Sequence, residues 1–212
     1  MKTTKILAIL CLAVLFASCD DDDPIVLQPV ASETVSNLFA PQTGGPGPGG
    51  GTPVSGPFTL FDFETGAETT DPDAWDIGFR ATSIIVNGGI SAGTIDEPNR
   101  TGNAAAYFTT NGFSSVTEVD ETLFTQDTAN GYAIPTGGGN GWYDYTPFPI
   151  NLITPRAGVV LVFRTTDGKY VKVQIQSYYE NAPASPDANV DAARYYTFDY
   201  VYQPNDGVTT FE

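Results

Sequence analysis

The 212 residues carry 25 acidic side chains against nine basic ones, a formal charge of −16. Such a chain is repelled by nucleic acid and by anionic lipid, so neither is an expected partner. It has no histidine, one methionine and two cysteines. That leaves no nucleophile–base pair and no transition-metal cluster to name.

Met1–Ser18 reads as a secretory signal, with Lys2 and Lys5 ahead of the apolar run Ile6–Phe16. The run is too short for a membrane-spanning helix. It ends in Phe16-Ala17-Ser18-Cys19, which resembles the lipobox of bacterial lipoproteins, with Phe where Leu is usual. The expectation is cleavage before Cys19 and lipidation of that cysteine. Cys11 leaves with the signal, so no internal disulfide can form. Asp20–Asp23 follows at once and resembles the surface-export signal of lipoproteins in some Gram-negative lineages. Loss of Lys2 and Lys5 leaves seven basic residues and a charge of −18. Membrane attachment must then come from lipid, not charge.

Pro24–Phe39 shows no sustained period. Ala40–Pro57 holds 12 Gly or Pro in 18 residues and, with it, reads as a disordered tether over 19–57. The folded unit expected is one domain, 58–212, large enough for a real core.

Within it the pattern predicts an all-β fold, a single antiparallel β-rich domain without a convincing helix. Phe58–Phe63, Trp75–Arg80, Ser83–Asn87, Ala104–Thr109, Gly158–Tyr179 and Arg194–Tyr202 are β-branched and aromatic enough for strands. Asn87-Gly88-Gly89, Asn111-Gly112, Asn130-Gly131 and Gly137–Gly141 mark turns. Gly158–Tyr179 is a hairpin. Val171, Val173 and Ile175 alternate with Lys172, Gln174 and Gln176, the period of a half-buried strand. A three-residue loop, Thr166-Asp167-Gly168 with Gly168 left-handed, sets Phe163 opposite Val171, Leu161 opposite Val173 and Val159 opposite Ile175. A two-residue turn would set apolar against polar, so the three-residue loop is expected. Val160 and Val162 then point to a second, partly covered face.

Three local motifs carry little. Gly89-Ile90-Ser91-Ala92-Gly93 matches a nucleophile elbow, but without histidine it reads as a Gly-rich turn. Asp187-x-Asn189-x-Asp191 opens like a calcium loop, yet Ala192 and Phe198 stand where Gly and Glu are needed. A surface turn with Asx hydrogen bonds is the better reading. Asp71, Asp73 and Asp76 are a weak cluster. No carboxylate pair stands out among the 25, so a hydrolase is the least supported class. Thr110–Ile153 is the least regular stretch and is rich in aromatics. Tyr132, Trp142, Tyr143 and Tyr145 are the candidate ligand-stacking residues; cross-strand core packing is the other reading of such aromatics.

Taken together, Trp75-Asp76-Ile77-x-Phe79-Arg80, Ile85-Val86-Asn87-Gly88-Gly89, Gly141-Trp142-Tyr143-x-Tyr145, Arg164-Thr165-x-Asp167-Gly168-Lys169-Tyr170-x-Lys172, Ser177-Tyr178-Tyr179 and Arg194-Tyr195-Tyr196-x-Phe198 resemble the HmuY family of haem-binding surface lipoproteins. The likeness runs in order over Phe58–Tyr202. It implies an all-β fold, a lipid anchor in the outer membrane facing the cell exterior, and haem capture for iron acquisition with an outer-membrane uptake transporter as partner. Haem-binding members hold iron with two His or Met side chains. Here there is no His, and the only Met is Met1. The expected function is therefore a non-enzymatic binding protein that takes haem or a related porphyrin by stacking, with Tyr ligation at most and no structural metal. The alternative is a surface module for a glycan or partner protein that has kept the fold and lost haem.

Overall fold

The computed structural model describes residues 26–45 and 51–212. The signal, Cys19 and Asp20–Asp23 lie outside them. The strands are β1 (Ala31–Phe39), β2 (Thr43–Gly45), β3 (Thr52–Ser55), β4 (Thr59–Asp62), β5 (Ala67–Thr69), β6 (Ile77–Arg80), β7 (Ser83–Val86), β8 (Ala105–Thr109), β9 (Tyr143–Thr146), β10 (Leu152–Pro155), β11 (Val160–Arg164), β12 (Tyr170–Tyr179) and β13 (Ala193–Gln203). Five form one sheet in the order β1-β13-β12-β11-β8, and four form a second, β5-β4-β6-β7. β9–β10 and β2–β3 are two-stranded ribbons. All these pairings are antiparallel, so the fold is all-β.

The β11–β12 hairpin takes the apolar-on-apolar register, Leu161 opposite Val173 and Phe163 opposite Val171. Gly168 has φ +85°, a conformation that costs glycine nothing. The loop closes with Thr165 N–H on Lys169 O at 2.9 Å and Gly168 N–H on Thr165 O at 3.1 Å. The third expected pair, Val159 with Ile175, falls outside the ladder, although both side chains are buried in the main core.

That core lies between the two sheets. Phe61, Ile77, Phe79, Ile84 and Val86 from the smaller sheet meet Leu161, Phe163, Val171, Val173, Tyr196, Phe198 and Tyr200 from the larger. Phe79 stacks on Phe198 at 5.8 Å and tilts against Tyr196 at 4.8 Å, while Phe61 meets Phe198 edge-on at 5.7 Å. Such pairs add stability beyond their buried area. The second face of the larger sheet is covered as well, by Val116, Val119 and Phe211 over Val160, Val162 and Tyr170. Lys172, polar in the alternation, is buried on this face. Its Nζ donates to Val116 O at 2.8 Å and Phe113 O at 3.1 Å, between the rings of Phe113 and Phe211.

Buried polar joints fasten the layers. Asp76 accepts Phe63 N–H at 3.0 Å from the end of β4 and Thr166 N–H at 2.7 Å from the β11–β12 turn. Burial pushes its carboxyl up to about 6; the two N–H bonds oppose the rise, and Asp62 and Asp167 add to it. Asn87 donates to Trp75 O at 2.9 Å and accepts Thr101 N–H at 2.8 Å. Asp127 accepts Val86 N–H at 3.1 Å, Ala133 N–H at 2.8 Å and Arg100 Nη2 at 2.7 Å. Arg100 also pairs with Glu97 at 2.7 Å, all three side chains being buried.

The structure corrects the expected tether. Ala31–Phe39 is a full strand at the edge of the larger sheet, paired with β13 from Ala31↔Tyr202 to Phe39↔Tyr195. Its alternation is hidden in the sequence by a bulge between Val35 and Leu38, where Asn37 has φ 59°. That extra residue shifts which side chains face inward. Part of the Gly/Pro-rich stretch is also ordered, as the β2–β3 ribbon. Gly56 N–H on Asp96 Oδ2 at 2.8 Å and Arg194 Nη1 on Gln42 O at 2.8 Å tie that stretch to the domain.

Candidate functional site

The end of the sandwich beyond Tyr179 is built from two loops. One is the tip of the β9–β10 ribbon, Pro147–Asn151; the other joins β12 to β13, Glu180–Ala192. The ribbon is seated by Ile153 N–H on Tyr179 Oη at 3.0 Å. Its tip is shaped by Pro147 and Pro149, with a cis Phe148–Pro149 bond, and by Tyr145 Oη donating to Asn151 Oδ1 at 2.9 Å. The facing loop is held by the expected Asx turn. Asp187 Oδ1 accepts Asn189 N–H at 2.9 Å, and Asp191 Oδ2 accepts Asp187 N–H at 2.7 Å. These carboxylates serve the turn, and no metal-holding cluster of carboxylates exists among the described residues.

Between the loops runs a cleft of about 470 Å³ lined by Pro149, Ile150, Pro186, Asp187, Ala188 and Asn189, within the size range of ligand sites. Its surroundings are unusually apolar for surface. Phe148 is 84% exposed, Val190 79%, Ile150 50% and Tyr145 49%. These four, of eleven exposed large hydrophobic residues among those described, fall on two adjoining loops and on the end of β9 that leads into one of them. Grouped exposure of that kind marks binding surfaces, whereas single exposed apolar residues do not.

The four candidate aromatics do not come together. Trp142 is 1% exposed and donates Nε1–H to Thr82 O at 3.0 Å. It packs on Tyr196 at 5.1 Å and Tyr143 at 4.9 Å, closing the core beside the β6–β7 turn. Gly141 lets the chain enter there, since a Cβ would meet Pro135 O at 2.1 Å. Tyr143 is buried with it, so neither ring has a face free for a ligand. Tyr132 packs against the separate cluster of Phe58, Trp75 and Ile85, and its hydroxyl donates to Glu97 at 3.3 Å. Burial pushes that phenol up. Only Tyr145 belongs to the cleft end. Phe148 and Ile150 were missed by the sequence reading. The signal for them is Pro147-Phe148-Pro149-Ile150: prolines bracket apolar residues that cannot then sit in a central strand. The elbow-like Gly89–Gly93 is a turn after β7, with Ser91 Oγ accepting Gly93 N–H at 3.0 Å.

A tetrapyrrole tests this cleft in two ways. Its flat face suits Phe148, Ile150 and the prolines. Its iron does not suit the site, because the cleft end offers one phenol, already bonded to Asn151, and no imidazole or thioether.

No curated protein matches the chain. Among solved structures it is similar to the apo HmuY analog of Tannerella forsythia, at 13% identity and a TM-score of 0.50, covering 84% of this chain and 99% of that one. A candidate lipoprotein of Bacteroides fragilis NCTC 9343 gives 16% identity and 0.49, covering 83% and 90%. A candidate HmuY-like heme-binding protein of Bacteroides vulgatus ATCC 8482 gives 16% and 0.45, covering 83% and 93%. The model of the HmuY protein family matches residues 57–200. Over that match, from the buried Trp75-Asp76 joint to the aromatic face of β13, the chain belongs to the HmuY family, a family of binding proteins.

Proposed function

We propose that the chain is a lipoprotein anchored through Cys19 in the outer membrane, facing the cell exterior, that takes haem or another flat tetrapyrrole in the cleft between the β9–β10 tip and the β12–β13 loop. Capture precedes transfer to an outer-membrane uptake transporter. The carrying observation is the grouped exposure of Phe148, Ile150 and Val190 on the two loops and of Tyr145 at the end of β9. Apolar contact with the ring supplies the affinity, and iron ligation does not.

The place of β1 supports the orientation. Ala31 opens β1 twelve residues after Cys19, a reach of at most about 40 Å. β1 starts opposite Tyr202 and runs toward Tyr195, so the cleft lies at the end of the sheet away from the anchor. A glycan or partner protein is the second reading, favoured by the lack of any His and of any Met beyond Met1.

Three experiments test the reading. Cys19→Ala should release the protein from membranes; retention after detergent-free washing would contradict the anchor. Replacing Asp20–Asp23 with Ala should reduce digestion by protease added to intact cells. For the cleft, haem is titrated into residues 20–212, followed by its Soret band. Phe148→Ala should weaken binding by about ten-fold, the effect of losing one apolar anchor worth roughly 1–2 kcal/mol. Unchanged affinity would move the ligand elsewhere.

A further inference from the structure

At the other end of β13, away from the cleft, a groove of about 330 Å³ lies between β1 and the β4–β5 turn, with Glu33 and Glu64 on its walls and Phe63, Tyr200 and Tyr202 on its floor. Glu64 also lines an adjoining hollow with Asp62, Asp73, Asp76 and Asp167. Tyr200 is 4% exposed and Tyr202 7%. Of the four other tyrosines buried in this core, Tyr179 and Tyr196 bond their hydroxyls to backbone, and Tyr143 and Tyr178 do not. The hydroxyls of Tyr200 and Tyr202 have no bond to any described residue, and neither is sealed from solvent. They open on the groove.

Carboxylates surround these hydroxyls. Burial, then Glu33 and Asp62, push the Tyr200 phenol up. Burial, then Asp167, Glu64, Asp76 and Asp62, do the same to Tyr202. No Lys or Arg among the described residues pairs with Glu33, Asp62, Glu64 or Asp167; the ion pairs lie on Glu97, Asp127, Asp144 and Asp206. The negative charge is therefore uncompensated. It is also spread out, since among the described residues no three carboxylates approach closely enough to hold a metal ion.

We infer that this groove binds an extended organic cation, its ammonium or guanidinium groups between Glu33 and Glu64 and on the Tyr200 and Tyr202 hydroxyls. Spaced carboxylates match the spaced charges of such a cation, while a metal ion needs convergent ones. The chemistry is shared by a free polyamine and by a Lys/Arg-bearing peptide.

Spermidine and a short Lys/Arg-rich peptide are titrated calorimetrically into residues 20–212. At least one should bind, and its affinity should fall at least about ten-fold as ionic strength rises from about 0.01 to about 1 M, where the screening length shrinks from about 30 to about 3 Å. Which of the two binds more tightly identifies the source. Glu33→Gln and Glu64→Gln should each weaken binding about ten-fold. Glu118→Gln, an equal charge change on the far side of the larger sheet, should not. Tyr202→Phe keeps the ring and removes the hydroxyl, and should weaken binding several-fold with the unfolding midpoint preserved. Failure of both probes to bind at low salt would overturn the inference. So would equal weakening by Glu118→Gln, which would assign the binding to the overall field of the protein.

Discussion

The joint around Trp75-Asp76, Asn87 and Asp127 and the cleft around Phe148 and Ile150 are opposites in almost every respect. The joint is buried, polar and fully bonded, and each carboxylate oxygen of Asp76 and Asp127 has a donor. The cleft is exposed, apolar and held by local turns. The first region fixes the packing of the layers, because a buried carboxylate needs its donors in fixed places. The second region is held by its own turns, which close on themselves. One scaffold of this kind can therefore carry different loops, and different ligand contacts, at its cleft end.

The joint should dominate stability. Asp127→Ala leaves Val86 N–H and Ala133 N–H without their acceptor and takes from buried Arg100 one of its two carboxylate partners, and should cost about 3–5 kcal/mol in denaturant unfolding. A cost under about 1 kcal/mol would mean the network is not rigid. Truncation to start at Phe58 removes β1, with Leu38 buried in the core, and should cost roughly 3 kcal/mol. A stable truncated chain would return 31–39 to the tether.

Asp76 should set a pH dependence. Its folded carboxyl titrates near 6, above the unfolded value of about 3.9. The folded state thus holds a proton that the unfolded state releases, so acidification stabilises the fold. The gain should be complete below about pH 4 and be lost as pH rises through 6, in total about 3 kcal/mol. Asp76→Asn should flatten that slope, whatever it does to absolute stability. An unchanged slope would place the titration elsewhere. At the cleft, the same logic predicts almost nothing for stability. Phe148→Ala should shift unfolding by less than about 0.5 kcal/mol while weakening ligand binding.

This division also explains what could be read in the sequence. The hairpin register was legible because only one loop length set Phe163 and Leu161 against valines. The strands that became β4, β6, β7, β8 and β13 were legible from their aromatic and β-branched runs. β1 was not, because its bulge breaks the period and only Leu38 is fully inward. β9 and β10 were hidden in the irregular stretch. There a buried Trp142 and an exposed Tyr145, three residues apart, look alike without knowing which way the ribbon faces. Aromatic content located the right segment, but burial divided it between core and cleft.

The central claim is that the cleft holds a flat ring by apolar contact and not through its metal. The direct test is the affinity of residues 20–212 for haem relative to metal-free porphyrin, in oxidised and in reduced buffer. The account predicts affinities within a few-fold of each other, a high-spin ferric spectrum, and no tightening on reduction, since a phenolate favours ferric iron. A low-spin spectrum that survives reduction, with haem bound much more tightly than porphyrin, would contradict it.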